Sequence, residues 1–153
     1  NLYWPNDNFD LHSSHVFPAM IRKFHEAKIN NLPEVILRWD GSPYREFLHV
    51  DDVADAIIYL MNNFNPTKEQ NEKWDIMFNI WTGQDITIKD LSELMKNIIG
   101  YKGSIARDTS KPNGTPRKLM DVNRLSTLGW KYSIDLEDGI GMTYEWFLKN
   151  NKF

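Results

Sequence analysis

The chain has 153 residues, enough for one domain that buries a hydrophobic core. Its net charge of -3 speaks against a general nucleic-acid-binding surface, which is normally basic, and the absence of cysteine excludes disulfides and thiolate chemistry. No apolar run is long enough to cross a bilayer. From the charge we expect no nucleic acid as a partner, from the apolar runs no membrane, and from the absence of cysteine a cytoplasmic location.

The first half of the chain is predicted to begin with a loop and then to mix helices with short strands. Residues 1–14 are rich in Asn, Asp, Ser and Pro, which is typical of a loop. Apolar residues recur at helical spacing over 15–28, which predicts a helix. Short apolar stretches predict strands at 35–37 and 47–50. The next helix, predicted at 51–63, starts with an aspartate that supplies its N-cap.

The second half of the chain is predicted to continue this mixture. A polar, Pro-containing stretch at 65–74 marks an exposed connection, and 76–80 is typical of a buried strand. Thr87 and Asp90 form a capping pattern at the start of a helix that Gly100 ends. The remaining predicted elements are a strand at 104–106, a loop at 108–118, a short helix at 121–128 and a final helix at 135–150. Short strands mixed with helices predict an α/β or α+β fold.

Two stretches of the chain place cations where a phosphate could meet them. In the run from Arg45 to Ala56, an arginine opens a short strand and paired acids open a helix. Arginine can offer two parallel N–H bonds to a phosphate. A loop of Pro and Gly from Ser110 to Lys118 adds three more cations. Together the two stretches indicate a site for a phosphorylated small molecule, unless Arg45 forms an ion pair with Glu46 or with the acids at 51–52.

Segments spread over essentially all of residues 1–153 carry a family resemblance. They are Asn1-Leu-Tyr-Trp-Pro-Asn-Asp-Asn-Phe9, Ser14-His-Val16, Arg45-Glu-Phe-Leu-His-Val-Asp-Asp52, Ser110 to Lys118, and Leu128-Gly-Trp130. They resemble the C-terminal half of the extended short-chain dehydrogenases/reductases, and within them the GDP-L-fucose synthase family. The resemblance implies the α/β substrate-binding portion of a Rossmann-like enzyme, without its N-terminal dinucleotide-binding half.

The chemistry of that family sets what the resemblance implies for partners. These enzymes epimerise GDP-4-keto-6-deoxy-D-mannose at C3 and C5 and then reduce the ketone with NADPH to give GDP-L-fucose. A GDP-sugar substrate, NADP as cofactor and a homodimer are therefore implied for the complete enzyme. The family's cysteine partner for epimerisation, its Ser-Tyr-Lys reduction set and its Gly-rich dinucleotide loop would all lie in the N-terminal half. None of them is in this sequence, so we expect this fragment to be inactive by itself.

The resemblance gives roles to five residues that match the family's pattern. His15 matches the histidine that exchanges protons beside the ketone, next to the cofactor. Arg45 matches a contact to the diphosphate, and Lys118 matches a contact to the GDP-sugar. Asn1 and Leu2 match the short segment beside the nicotinamide. The residues alone leave open a capping or surface role for His15 and a solvated loop for Lys118.

Two further substrate-binding candidates depart from the family's pattern. Lys23 falls where the family has a substrate-binding arginine; a lysine keeps the charge and loses the planar fork. The alternative for Lys23 is a solvated helix face. Arg38 occupies the position of a tryptophan that lines the substrate pocket.

Several tryptophans stand where the family's pattern has glycine. They are Trp4, Trp39 and Trp81, with Trp74 as a further candidate. Glycine permits a positive φ or a close backbone approach, and an indole obstructs both. Because Arg38 in turn replaces a tryptophan, the departures fall into two classes, which are tryptophan in place of glycine and arginine in place of tryptophan. We hypothesise a decoding artefact, in which the source reads UGA as glycine and CGA or CGG as tryptophan but was translated with another code.

Two other interpretations remain open. The chain belongs to a different nucleotide-sugar epimerase or dehydratase with another base and sugar, or it is a non-catalytic remnant whose Trp-rich surface contacts a partner. A comparison of the binding of GDP with that of UDP or dTDP compounds would separate the first alternative from the GDP-L-fucose synthase family. A Gly-rich strand-turn-helix and a Tyr-x-x-x-Lys pair in the upstream reading frame would reject the second.

Overall fold

The computed structural model describes residues 1–110 and 112–150 and has the mixed α/β architecture that the sequence predicts. Its helices are α1 (Val16–Ile29), α2 (Val50–Asn63), α3 (Lys68–Glu72), α4 (Ile88–Ile99), α5 (Asn123–Leu128) and α6 (Leu136–Asn150). Its strands are β1 (Leu2–Tyr3), β2 (Glu34–Arg38), β3 (Tyr44–Glu46), β4 (Leu48–His49), β5 (Asp85–Thr87), β6 (Ser104–Asp108) and β7 (Arg117–Lys118). Within these ranges, no helix combines the length and the apolar character needed to cross a membrane.

The described strands form three small sheets. β1 pairs in parallel with β4, and β2 pairs in parallel with β6. In the third sheet β3 lies in the middle, antiparallel to β5 and parallel to β7. The register of this third sheet places Arg45 of β3 opposite Lys118 of β7.

The main hydrophobic core lies between α1, α4 and α6. It includes the buried apolar residues Phe9, Ile21, Phe24, Leu91, Met95, Ile140 and Phe147. A smaller cluster of Ala56, Leu125 and Trp130 joins α2 to α5. Full burial of one such large side chain contributes about 1.5–3 kcal/mol. The main core therefore fixes α1 firmly, and with it the position of His15 at the start of that helix.

Helix boundaries follow local hydrogen bonds. Thr87 caps α4 by accepting from the backbone N–H of Asp90 at 2.9 Å, and Gly100 ends that helix at φ +76°, so both predictions are confirmed. The prediction that an aspartate caps α2 is wrong. The N-cap is His49, whose Nδ1 accepts from the N–H of Asp51 at 3.2 Å, because α2 already begins at Val50.

The short strands depart most from the sequence-based predictions. The strand predicted at 76–80 has no paired strand among the described residues, although its exposure alternates as in a half-buried strand. The strand predicted at 47–50 is divided between β4 and the start of α2. Conversely, β1 and β7 lie in stretches predicted as loops, and α3 lies in the predicted connection at 65–74. Strands of two residues carry no periodicity of their own, since partners far away in the sequence define them.

Candidate functional site

Two adjoining cavities lie where the N-terminus of α1 meets β3 and the start of α4. The first, the Arg45 cavity, has a volume of about 280 Å³ and is lined by Asn1, Ser14, His15, Val16, Trp39, Pro43, Arg45, Ile88 and Gly114. The second, the Lys23 cavity, has a volume of about 160 Å³ and is lined by Leu11, His12, Ser14, Val16, Ala19, Met20, Lys23, Leu37, Arg38, Trp39 and Ile88. The two share Ser14, Val16, Trp39 and Ile88, so an elongated ligand can contact both.

Arg45 is held by backbone carbonyl groups rather than by an acid. Its guanidinium NH1 donates to the carbonyl oxygen of Tyr44 at 2.6 Å and to that of Thr115 at 2.7 Å. Glu46 points to the opposite face of β3, where its buried carboxylate accepts from the N–H of Gly83 at 2.6 Å. The alternative of an Arg45–Glu46 ion pair is therefore not what the structure shows. Neutral carbonyls fix the guanidinium and leave its positive charge uncompensated at the cavity.

Arg117 and Lys118, the two loop cations that the structure describes, have different surroundings. Arg117 donates from Nε and NH2 to the carboxylate of Asp85, at 2.6 and 3.0 Å, and lies over the ring of Tyr44. These hydrogen bonds, with the charge of Asp85, raise the pKa of Arg117. Lys118 is exposed and stands opposite Arg45 in the strand pair. Lys111 lies outside the described residues, so Lys118 is the loop cation that the structure places beside Arg45.

His15 sits at the mouth of the Arg45 cavity. It occupies the N-cap position of α1, and its exposed imidazole makes no capping hydrogen bond. The capping role left open by the sequence is therefore excluded. Asp7 lies near enough to feel its charge: burial raises the pKa of the Asp7 carboxyl, while an N–H of Asn8 and the charge of His15 lower it. The imidazole is thus free to meet a ligand, with one carboxyl group nearby.

Lys23 and Arg38 line the second cavity from α1 and β2. The Nζ of Lys23 donates to the carbonyl oxygen of Ile36 at 3.3 Å. Burial lowers the pKa of Lys23, and the charge of Arg38 lowers it further. A half-buried lysine with a carbonyl partner does not fit the simple solvated helix face considered from the sequence. Both cations therefore face the same small cavity.

Asn1 and Leu2 lie at the edge of the site in different ways. Asn1 lines the Arg45 cavity, and its Nδ2 donates to the carbonyl oxygen of Glu46 at 3.1 Å. Leu2 is the register partner of Leu48 and is more than one-third exposed, at 38%. Leu2 lines neither cavity, so only Asn1 joins His15 and Arg45 there.

Ser14 is a site residue that the sequence did not single out. It lies in the shared wall of the two cavities, and its buried Oγ has no hydrogen-bond partner among the described residues. Neighbouring His12, interpreted as structural, lines the Lys23 cavity as well. A serine beside a histidine carries no distinctive spacing, so only the fold could reveal these two positions.

Two of the tryptophans at suspected glycine positions have backbone angles that favour glycine. Trp39 has φ +65° and Trp74 has φ +54°, in the left-handed region that bulky residues rarely adopt. Trp4 and Trp81 are not among the residues with positive φ, so this observation does not extend to them. The indole of Trp39 also lines both cavities. A glycine at position 39 would relieve the backbone and widen the passage between them.

A larger cavity is lined by none of the residues that line the Arg45 and Lys23 cavities. It has a volume of about 490 Å³ and is lined by residues of 81–84 and 122–135, including Trp130, Lys131 and Tyr132. None of the predicted site residues lines it. Throughout residues 1–110 and 112–150, no group of His, Cys, Asp and Glu side chains is arranged to hold a metal ion.

The chain does not carry a dinucleotide cradle of its own. Its sequence contains neither a Gly-x-Gly-x-x-Gly turn nor a Tyr-x-x-x-Lys pair. The glycines with positive φ, at 41, 83, 100 and 129, serve turns and helix ends.

Comparison with known proteins places these features in a family. Residues 1–80 match the model of the NAD dependent epimerase/dehydratase family. The chain is 49% identical over 150 residues to GDP-L-fucose synthase 1 of Arabidopsis thaliana, covering 98% of this chain and 44% of that protein. It is 48% identical over 151 residues to GDP-L-fucose synthase of Escherichia coli (strain K12), covering 98% of this chain and 47% of that protein.

The fold of the chain is also similar to that of a solved structure. A GDP-6-OMe-4-keto-L-xylo-heptose reductase from C. jejuni superposes with a TM-score of 0.87 at 36% identity, covering 99% of this chain and 52% of that one. The chain spans about half the length of these three proteins, from 44% to 52%.

Proposed function

Since this chain belongs to the NAD dependent epimerase/dehydratase family, we propose that it is the GDP-sugar-binding portion of a GDP-L-fucose synthase. The complete enzyme would convert GDP-4-keto-6-deoxy-D-mannose to GDP-L-fucose by 3,5-epimerisation and NADPH-dependent reduction at C4. One observation carries the proposal: Arg45 lines a cavity whose mouth holds His15, and Lys118, although it lines neither cavity, is the register partner of Arg45 on the neighbouring strand.

Arg45 and Lys118 would hold the diphosphate of the nucleotide sugar. Two like charges on neighbouring strands repel each other unless an anion lies between them. The guanidinium of Arg45 is already oriented by the carbonyl oxygens of Tyr44 and Thr115, so little conformational entropy remains to be lost on binding. Charge-assisted hydrogen bonds to phosphate are also about twice as strong as neutral ones. Lys23 and Arg38 would contact the part of the same ligand that reaches the second cavity.

His15 would exchange protons at the carbons beside the ketone. As a base, the imidazole nitrogen takes the proton from carbon, and the electron pair moves into the enolate stabilised by the 4-keto group. Inversion requires a proton from a second group on the opposite face of the sugar. No cysteine is present in this chain, so that partner would belong to the N-terminal half, in line with the resemblance. The free, exposed imidazole at the cavity mouth supports this role for His15.

The dinucleotide would be held mainly outside this chain. Asn1 and Leu2 would be its neighbours, and the nicotinamide would supply the hydride that reduces the ketone. Two features support an N-terminal half that packs against this chain. The β1–β4 pair is a parallel ladder of two strands, whereas parallel sheets are normally larger and covered on both faces. The outer face of α2 also exposes three large apolar side chains, those of Ile57, Ile58 and Met61.

The complete enzyme would be a homodimer in the cytoplasm. The resemblance supports the dimer, and the absence of cysteine agrees with a reducing compartment. Size-exclusion chromatography with light scattering on the complete protein tests the oligomeric state. A monomer at micromolar concentration would reject the dimer without affecting the proposal for the binding site.

Isothermal titration of the chain with GDP, UDP and dTDP tests the proposed function. We expect GDP to bind and the two pyrimidine nucleotides to bind at least tenfold more weakly, about 1.4 kcal/mol. Lys102, an exposed cation of the loop after α4, gives a matched control, since Lys102→Ala should leave the affinity for GDP unchanged. Preference for UDP or dTDP would favour a different nucleotide-sugar enzyme. Binding of none of them would favour a non-catalytic module.

A further inference from the structure

Two surface segments far apart in the sequence are joined by side-chain hydrogen bonds beside the Arg45 cavity. We call residues 39–42 the Asp40 turn and residues 112–118 the Lys118 loop. The Nδ2 of Asn113 donates to Oδ2 of Asp40 at 2.7 Å and to Oγ of Ser42 at 3.3 Å. In return, the backbone N–H of Asp40 donates to Oδ1 of Asn113 at 3.4 Å. The side-chain amide of Asn113 therefore donates to the carboxylate of Asp40 and accepts from the backbone of the same residue.

The Lys118 loop carries three groups that the proposed site uses. Gly114 lines the Arg45 cavity, and the carbonyl oxygen of Thr115 accepts from Arg45. The carbonyl oxygen of Pro116 then accepts from the N–H of Tyr44 at 2.8 Å, which starts the strand pair that ends at Lys118. Asn113, near the start of the loop, attaches the N-terminal side of the loop to the Asp40 turn. Without that attachment, the hydrogen bonds to Thr115 and Pro116 would hold the loop only at its C-terminal side.

We propose that Asp40 and Asn113 are positioning residues, which fix the Lys118 loop so that Gly114, Arg45 and Lys118 together form a preorganised diphosphate site. This inference rests on the proposed function, because it concerns the same ligand at the same cavity. Neither residue needs to touch the ligand. Their effect is to reduce the entropy lost when the loop closes on a bound diphosphate.

An amide at position 113 is chemically suited to this attachment. Its NH2 group donates to a carboxylate, while its oxygen accepts from a backbone N–H. An aspartate there would place two carboxylates within hydrogen-bond distance, and both cannot remain ionised without strong repulsion. The charge of Arg107 also lowers the pKa of Asp40, and the NH2 of Arg107 donates to Oγ of Ser92 at 2.6 Å. Lys89 approaches the same turn through its backbone N–H, which donates to the carbonyl oxygen of Gly41 at 2.9 Å.

The ionised form of Asp40 is the one that this arrangement favours. The N–H of Ser42 and then the amide of Asn113 lower the pKa of Asp40. The carboxylate is thus charged at neutral pH and ready to accept. In Asn113→Asp, the two carboxylates would share one proton only at low pH, so the attachment should open at pH 8 and re-form at about pH 5.

Three variants test the proposal: Asn113→Asp, Asn113→Ala and the exchange D40N/N113D. The exchange keeps the composition and net charge and reverses the direction of the side-chain hydrogen bond, while the backbone N–H of residue 40 can still donate to residue 113. Affinity for GDP is measured by isothermal titration at pH 5 and pH 8, always relative to the wild type at the same pH. The heteronuclear NOE of the Gly114 and Thr115 amides reports loop order without ligand. We expect Asn113→Asp to weaken GDP binding roughly tenfold at pH 8, with recovery at pH 5 and in the exchange variant.

The outcomes separate the two proposals. If the wild type binds GDP and Asn113→Asp binds equally well at pH 8, the positioning role is overturned and the proposed function stands. If Asn113→Asp is weaker but neither low pH nor the exchange restores binding, the effect is general destabilisation and the positioning role is again rejected. If the wild type does not bind GDP at all, the proposed function fails and the inference fails with it.

Discussion

Arg45 of β3 and Lys118 of β7 are register partners in a parallel strand pair. In the same sheet, Arg117 of β7 forms an ion pair with Asp85 of β5. Two adjacent cations of the Lys118 loop therefore have different surroundings. Arg117 is bound to a carboxylate, whereas Lys118 is the register partner of Arg45, which lines the cavity. This difference leads directly to a contrast between two substitutions.

Lys118→Ala should weaken binding of GDP roughly tenfold, because it removes a charged contact to the diphosphate. Arg117→Ala is the matched control. It should leave the affinity for GDP nearly unchanged and lower stability instead, because it leaves the mostly buried Asp85 carboxylate without its ion pair. Isothermal titration and urea unfolding of both variants separate the two effects. Equal losses of affinity in both variants would refute the distinction.

Trp39→Gly should raise stability relative to Trp39→Ala. At φ +65° any residue with a Cβ is strained, and the left-handed conformation costs about 1–2 kcal/mol. At an ordinary position alanine is more stable than glycine, so the reversed order is diagnostic. Urea unfolding should give Trp39→Gly an advantage of roughly 1 kcal/mol over Trp39→Ala.

The coding DNA provides an independent check on the same residue. UGA at positions 4, 39 and 81 would support the hypothesis that the source reads this codon as glycine. Ordinary UGG codons at these positions would reject it, whatever the stability of Trp39→Gly proves to be.

Thr87→Ala should destabilise the protein by about 1 kcal/mol, because Thr87 caps α4 and this helix packs in the main core. Thr67 provides a matched control, since it caps α3 with a full capping box but that short helix buries no side chain. Thr67→Ala should therefore change the free energy of global unfolding much less. Thermal and urea unfolding of both variants test this, and equal losses would contradict the assignment of α4 to the core.

Histidine 25 should make stability depend on pH near neutrality. Burial lowers the pKa of His25, the charge of Lys28 adds to this, and its Nδ1 faces Oη of Tyr144 at 3.1 Å. Because the folded-state pKa lies below the unfolded value of about 6.5, the unfolded state binds the proton more readily. The stabilising effect is present above that value and is lost as the pH falls through the folded-state pKa.

His25→Gln preserves a hydrogen-bonding group and removes this titration. The free energy of unfolding of the wild type, relative to His25→Gln, should fall between pH 7.5 and pH 5.5. An unchanged difference over this interval would show that His25 does not titrate as the structure implies.

The long helices could be predicted from the sequence because their apolar residues repeat at helical spacing. The helix that begins after Thr87 and ends at Gly100 illustrates this, since both its boundary signals are local. The resemblance also identified His15 and Arg45 as site candidates, and both line one cavity. These features depend on residues close together in the chain.

The remaining features depend on contacts between distant residues. β7 is a strand only because β3 lies beside it, and Arg117 is unavailable to a ligand only because Asp85 faces it. The unpartnered hydroxyl of Ser14 and the attachment of Asn113 to Asp40 likewise arise from tertiary structure. No pattern in the sequence distinguishes such residues from ordinary loop residues.

Nuclear magnetic resonance mapping of the GDP-binding site is the most direct test of the central claim. The ¹⁵N-labelled chain would be titrated with GDP, and the amide shifts of each residue followed. We predict the largest shifts at His15, Arg45, Gly114 and Lys118, around the Arg45 cavity. Saturable shifts confined to Trp130, Lys131 and Tyr132, around the larger cavity, would contradict the account.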